Sequence, residues 1–110
     1  MSEKELLKTK KWKHIRQMVL KRDKYLCQYY LRFGKNIEAS HVHHIYPVEI
    51  YPEYAYCMWN LISLSQKAHN MMHVRGSHEL TAEGLRLMKS AEEQRRAYDQ
   101  AMTRPPQRSQ

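Results

Sequence analysis

Apolar residues return at helical spacing in the first stretch of the chain, where Leu6, Leu7, Trp12, Ile15, Val19 and Leu20 are separated by Lys and Arg. The pattern predicts a helix from about residue 5 to Asp23, with Lys8 to Lys11 as its weak stretch. Leu26 to Phe33 is short, aromatic and irregular, and Gly34-Lys35-Asn36 signals a turn. Ala39 to Ile45 reads as an extended run of β-branched and His residues ahead of Pro47. Tyr46 to Asn60 has no clean period and is expected to be a packed loop, with one helical turn after Pro52. Leu61 to Leu64 reads as a short strand. Ser65 then caps a helix from Gln66 to about Val74, and Gly76 suits the residue just past its end. Thr81 caps a final helix from Ala82 to about Met102, with Leu85, Met88, Ala91, Tyr98 and Met102 on one side. Pro105-Pro106 ends it.

These elements describe one small α+β domain over residues 1–102, with its core at about residues 40–76 and a flexible tail at 103–110. There is no internal repeat. At 110 residues, 42% apolar and 27% charged, the chain is expected to fold around a modest core. The first residues are charged throughout, with neither the apolar core of a signal peptide nor a membrane-length apolar run, so a cytoplasmic setting is expected. Cys27 and Cys57 cannot form a disulfide framework there, nor an all-cysteine zinc site.

Charge adds a partner class. Lys and Arg number 19 against 11 acids, a formal charge of +8, which suits a polyanion such as nucleic acid. Six of the seven histidines fall between His41 and His78, and their spacing adds chemistry. His69 and His73, four apart on a predicted helix, would project from one face about 6 Å apart, within reach of a single metal ion. Alone, such a pair is more often two solvated or packed histidines than a metal site. The tandem His43-His44 lies at the end of a short strand, where neighbours point to opposite faces, so one can complete a three-histidine site while the other serves another task. Three imidazoles leave a coordination position open for water or substrate.

The run His43-His44-Ile45-Tyr46-Pro47, then Asn60-Leu61-Ile62-Ser63-Leu64, then His69-Asn70-Met71-Met72-His73 resembles the HNH nucleases, which have a ββα-metal fold. Trp12, Arg16, Leu20, Arg22-Asp23 and Cys27 upstream fit the resemblance. Leu80-Thr81 and Glu83-Gly84 downstream look like the phage and prophage members. The likeness spans roughly residues 10 to 86 and implies a ββα-metal core flanked by N- and C-terminal helices. It further implies that His43, His69 and His73 bind one divalent metal and that His44 is the general base. Asn60 would brace the loop behind His44. The implied reaction is DNA phosphodiester hydrolysis to a 5′-phosphate and a 3′-hydroxyl, by nicking or double-strand cutting.

The residue types suit that chemistry. A cation offsets charge developing on the phosphoryl and leaving oxygens, and imidazole, with an unperturbed pKa of about 6.5, can act as a base near neutrality. Imidazole nitrogen suits zinc or nickel while oxygen ligands suit magnesium or manganese, so all four ions remain candidates.

Many phage-type relatives carry two CxxC pairs for a structural zinc. Here the positions are Cys27, Tyr30, Ser65 and Ala68, so no structural zinc is expected and Cys27 is expected to be a packed thiol. Tyr29, Tyr30, Phe33, Tyr51, Tyr54, Tyr56 and Trp59 are candidates for a compensating aromatic core, and a homodimer interface is a second source of stability. His41 reads as a structural neighbour or a phosphate contact. Cys57 lacks a partner at ligand spacing, and His14 and His78 read as surface residues.

Arg16, Arg22, Lys24 and Arg75 are the expected DNA contacts, of a kind that gives affinity without sequence preference. Three functions compete. The first is a weakly specific endonuclease, set beside phage packaging proteins. The second is a catalytically weak DNA-binding or packaging accessory that keeps the fold and metal. The third is a structural zinc protein, which the charge and the open three-histidine site disfavour.

Overall fold

The computed structural model describes residues 2–77 and 79–103. The surface position expected of His78 and the tail expected over residues 104–110 lie outside the described residues. Chain order is α1 (Glu3–Leu6), α2 (Lys10–Arg22), α3 (Gln28–Leu31), β1 (His41–His44), β2 (Leu61–Leu64), α4 (Gln66–Asn70), α5 (Ala82–Ser90) and α6 (Glu92–Thr103), with 3-10 turns at Pro52–Tyr54 and Met58–Asn60. Thr103, expected in the tail, is thus the last helical residue.

The centre is an antiparallel pair of four-residue strands, with His41 opposite Leu64, His43 opposite Ile62 and His44 opposite Leu61. Alternation along β1 sends its side chains to two faces. Val42 and His44 meet α2, where Trp12, Val19 and Leu61 form the first core cluster. His41 and His43 meet the histidines on and just after α4. On that helix Ala68 packs with Cys27, Leu64 and Met72 in a second cluster.

Three sequence expectations are corrected. The long first helix is two helices, because the Thr9 hydroxyl caps α2 by accepting from Trp12 N (3.1 Å) and ends α1 by donating to Leu6 O (2.8 Å). The last helix breaks at Ala91, which is buried against Tyr46 and Tyr54 and leaves helical dihedrals (φ −99°, ψ 6°). The middle helix stops at Asn70 instead of about Val74, because Thr81 takes the carbonyls of the two residues that follow, which a longer helix would need: the hydroxyl donates to Met71 O and the backbone N–H to Met72 O. The expected caps are present, with Ser65 accepting from Ala68 N and Thr81 from Gly84 N.

Gly84 sits where α5 begins to lean on the turn bearing His73. A side-chain carbon there would run into the Met72 carbonyl oxygen and come within 2.9 Å of the Leu80 side chain. Cys27 is a fully buried thiol. Of the expected aromatic core, Tyr51, Tyr54 and Trp59 gather with Tyr46 and Tyr98 over Ala91 and Ile45. Phe33 is not part of it; 61% exposed, it stands at the surface edge of Tyr29. Among the described residues, no helix is long and apolar enough to cross a membrane.

Candidate metal centre and active-site cavity

Strand β1, α4 and the turn after it bring five imidazoles to one cavity of about 660 Å³, lined by His41, His43, His44, His69 and His73 together with residues of α1 and α2. His43, His69 and His73 each offer a ring nitrogen, and the three nitrogens lie within 4.8 Å of one another, a spacing that suits a single metal ion. His73 is past the end of α4, in a bridge with Leu80, so the pair is not the one-helix pair that its spacing suggested. The rings still converge: His43 lies 5.4 Å from both His69 and His73, centroid to centroid.

The electrostatics favour uncharged rings at His43 and His69. Burial, then the neighbouring His69, His73 and His44, pushes His43 well below the ordinary histidine range. Burial, then His41 and His73, brings His69 down to about 4. His43 Nε2 is moreover a buried nitrogen without a hydrogen-bond partner. An orphaned lone pair facing two other imidazoles fits a ligand atom, and the residues present therefore fit a divalent metal.

His44 is held differently. Its Nε2 is 3.0 Å from the Ala55 carbonyl, which can only accept, so Nε2 carries the proton and Nδ1 keeps its lone pair. Its other constraint is the Trp12 indole, stacked at 4.8 Å. Burial lowers the His44 pKa, against a smaller upward pull from the Ala55 bond and the Glu3 carboxylate.

Asn60, fully buried, spends its amide on the loop behind His44. Oδ1 accepts from Tyr46 N (2.7 Å), while Nδ2 donates to Tyr46 O (3.2 Å) and Tyr54 O (3.1 Å). Tyr54 directly precedes Ala55, the acceptor for His44.

The four expected DNA contacts separate. Arg16 lines the cavity, with one guanidinium nitrogen on Ser40 O at 2.9 Å. Arg22 is committed inside the chain: it makes a forked pair with Asp23 and donates to the carbonyls of Met58 (2.8 Å) and Leu61 (2.6 Å). Asp23 in turn accepts from Ser63 N of β2 at 3.0 Å. Lys24 is in the turn after α2, with a left-handed φ of 56°, and Arg75 is in the exposed turn after His73; neither lines the cavity.

Sequence reasoning gave no role to Trp12 as the stacking partner of His44, or to the Ala55 carbonyl as its acceptor. The first carried a faint signal as an aromatic residue on the inward stripe of α2. The second, a backbone atom in an aperiodic loop, carried none. His41, expected as a structural neighbour or a phosphate contact, stacks on His69 at 5.0 Å and has the Ser40 hydroxyl 2.8 Å from Nδ1.

Neither a protein-family model nor a curated protein matches the sequence. Among solved structures, the fold is similar to the HNH endonuclease of the deep-sea thermophilic bacteriophage GVE2, determined with manganese ion. The TM-score is 0.59 and the identity 31%, over 84% of this chain and 83% of that one. On that identity and coverage, and with the two-stranded sheet and flanking helices of the ββα-metal fold, this chain belongs to the HNH endonuclease family.

Proposed function

We propose that the chain is a metal-dependent DNA endonuclease of low sequence specificity that hydrolyses phosphodiesters to 5′-phosphate and 3′-hydroxyl ends. The observation that carries this reading is the pairing of two differently prepared imidazole sets in one cavity: three converging rings, and beside them His44 with Nε2–H on Ala55 and Nδ1 left to accept a proton.

In this reading His43, His69 and His73 hold the metal, which when bound supplies positive charge to the phosphoryl and leaving oxygens. His44 takes the proton of the attacking water at Nδ1. The Ala55 carbonyl already bonded to Nε2–H steadies the imidazolium that results, and the Trp12 face keeps the ring from tilting. Asn60 fixes the loop that carries that carbonyl. Arg16 is the cation best placed to meet a phosphate; the internal bonds of Arg22 give it the role of fastening α2 to the sheet. Residues 1–102 act as a single domain.

The manganese of the phage relative makes manganese the first ion to try, ahead of magnesium, zinc and nickel. The test is metal-stripped protein on supercoiled plasmid with each ion, beside His44→Ala. Metal-dependent nicking or linearisation that falls about 10²–10⁴-fold in His44→Ala is expected. DNA binding without cleavage by either protein would instead support the accessory reading, and equal cleavage by both would remove His44 from the mechanism.

A further inference from the structure

The Ala55 carbonyl that orients His44 follows directly on the 3-10 turn Pro52–Tyr54, so whatever fixes that turn fixes the acceptor. Three-residue 3-10 turns have poor bonds of their own and depend on their surroundings. One anchor is Asn60, on Tyr54 O. A second comes from α6, outside the residues that carry the family motif and outside the cavity lining. The Tyr54 hydroxyl donates to the Asp99 carboxylate, at 2.8 Å to Oδ1 and 2.9 Å to Oδ2. Arg95, one turn earlier on α6, pairs with the same carboxylate at 2.9 Å and lies 6.0 Å over the Tyr46 ring. The Tyr54 ring is buried between Trp59 and Tyr98, so its hydroxyl cannot turn to another partner without leaving the cluster.

We propose that Asp99, steadied by Arg95, is a positioning residue for His44: through the Tyr54 hydroxyl it fixes the Ala55 carbonyl, and with it the tautomer and direction of the His44 ring. The proposal rests on His44 as the base of the nuclease reading. Its physical ground is that a charge-assisted hydrogen bond holds geometry better than a neutral one, and that a base displaced by about 1 Å loses much of its rate. The C-terminal helix is then part of the active-site frame, although no atom of it reaches the cavity.

Tyr54→Phe deletes one hydroxyl, Asp99→Ala deletes the acceptor, and Asp99→Asn keeps an acceptor oxygen. The readouts are kcat and KM on plasmid, manganese affinity by calorimetry, and ¹⁵N NMR of the His44 ring nitrogens in metal-free protein. Tyr54→Phe and Asp99→Ala are expected to lower kcat about tenfold, leaving KM and manganese affinity unchanged, with most of the loss restored in Asp99→Asn. In the first two variants the His44 nitrogens should lose the clean Nε2–H signature and average toward a tautomer mixture. Should Asp99→Ala not fold, Tyr54→Phe carries the test alone. His44 nitrogens unmoved in folded Tyr54→Phe overturn the proposal whatever the rate does, as does a kcat loss matched by lost manganese affinity. If the wild-type protein does not cut DNA, the nuclease reading fails and the nitrogen spectrum decides the positioning on its own.

Discussion

The Trp12 indole and the His44 imidazole lie almost parallel, their centroids 4.8 Å apart and their planes inclined by 23°. Trp12 is also 3% exposed and central to the cluster of Leu6, Val19 and Leu61, so one side chain serves both core and site. The two roles are separable. Trp12→Ala should cost about 3–5 kcal/mol in urea unfolding, and Trp12→Phe much less. Trp12→Leu fills most of the volume but offers no flat face, so its kcat on plasmid should fall further than its stability. Parallel falls in both quantities would reduce the stack to packing alone.

Stability of the metal-free protein should depend on pH with a definite sign. His69 sits at about 4, lowered by burial and then by His41 and His73, and His43 lies well below its ordinary value. In the unfolded chain both return to about 6.5. Between those values the unfolded state binds protons that the folded state refuses, so unfolding is favoured as pH falls. The contribution of the pair is complete above about 6.5 and declines as pH falls, the His69 share being lost on the way down toward 4. The urea midpoint should be level above about pH 7 and decline below it, with a shallower decline in His69→Gln. Equal slopes in the two proteins would mean that other groups govern the transition.

Gly84→Ala should destabilise by about 1–3 kcal/mol, because the added carbon meets the Met72 carbonyl and the Leu80 side chain. The Met72 carbonyl cannot readily withdraw, since it accepts from Thr81 N at 3.0 Å. Met72 precedes His73, so manganese affinity should fall with stability; calorimetry beside thermal unfolding checks both. An unchanged affinity would mean that His73 is positioned independently of α5.

Arg16 and Arg22 should respond in opposite ways. Arg22→Ala breaks bonds to Met58 O, Leu61 O and Asp23, and should cost about 1–3 kcal/mol of stability while the folded fraction binds DNA normally. Arg16→Ala should leave stability within about 0.5 kcal/mol and reduce the slope of log affinity against log salt by about 1. A salt slope lowered by Arg22→Ala instead would return that residue to the DNA face.

What could be read from the sequence was local. The caps at Ser65 and Thr81 and the division of His43 from His44 between two faces depend on neighbours within four residues, and the structure contains them. What could not be read was set at a distance. Thr81 ends α4 from ten residues away, and the inward turn of Arg22 needs carbonyls at Met58 and Leu61 that only folding brings near. The break at Thr9 was hidden for another reason. A charged stretch carries no hydrophobic period to interrupt, so a single capping hydroxyl could divide the helix unannounced.

Imidazole binds a metal as a neutral donor, and among the described residues no carboxylate joins the three converging rings. A carboxylate ligand would cancel part of the charge of any cation it held; imidazoles cancel none. A dication seated among His43, His69 and His73 would therefore present its full double charge to an incoming phosphate, raising a formal +8 chain to +10 as it loads. Loading would thus act as a gain control on attraction to DNA, and the apo and holo forms should differ in how fast they find a polyanion as well as in whether they can cut it.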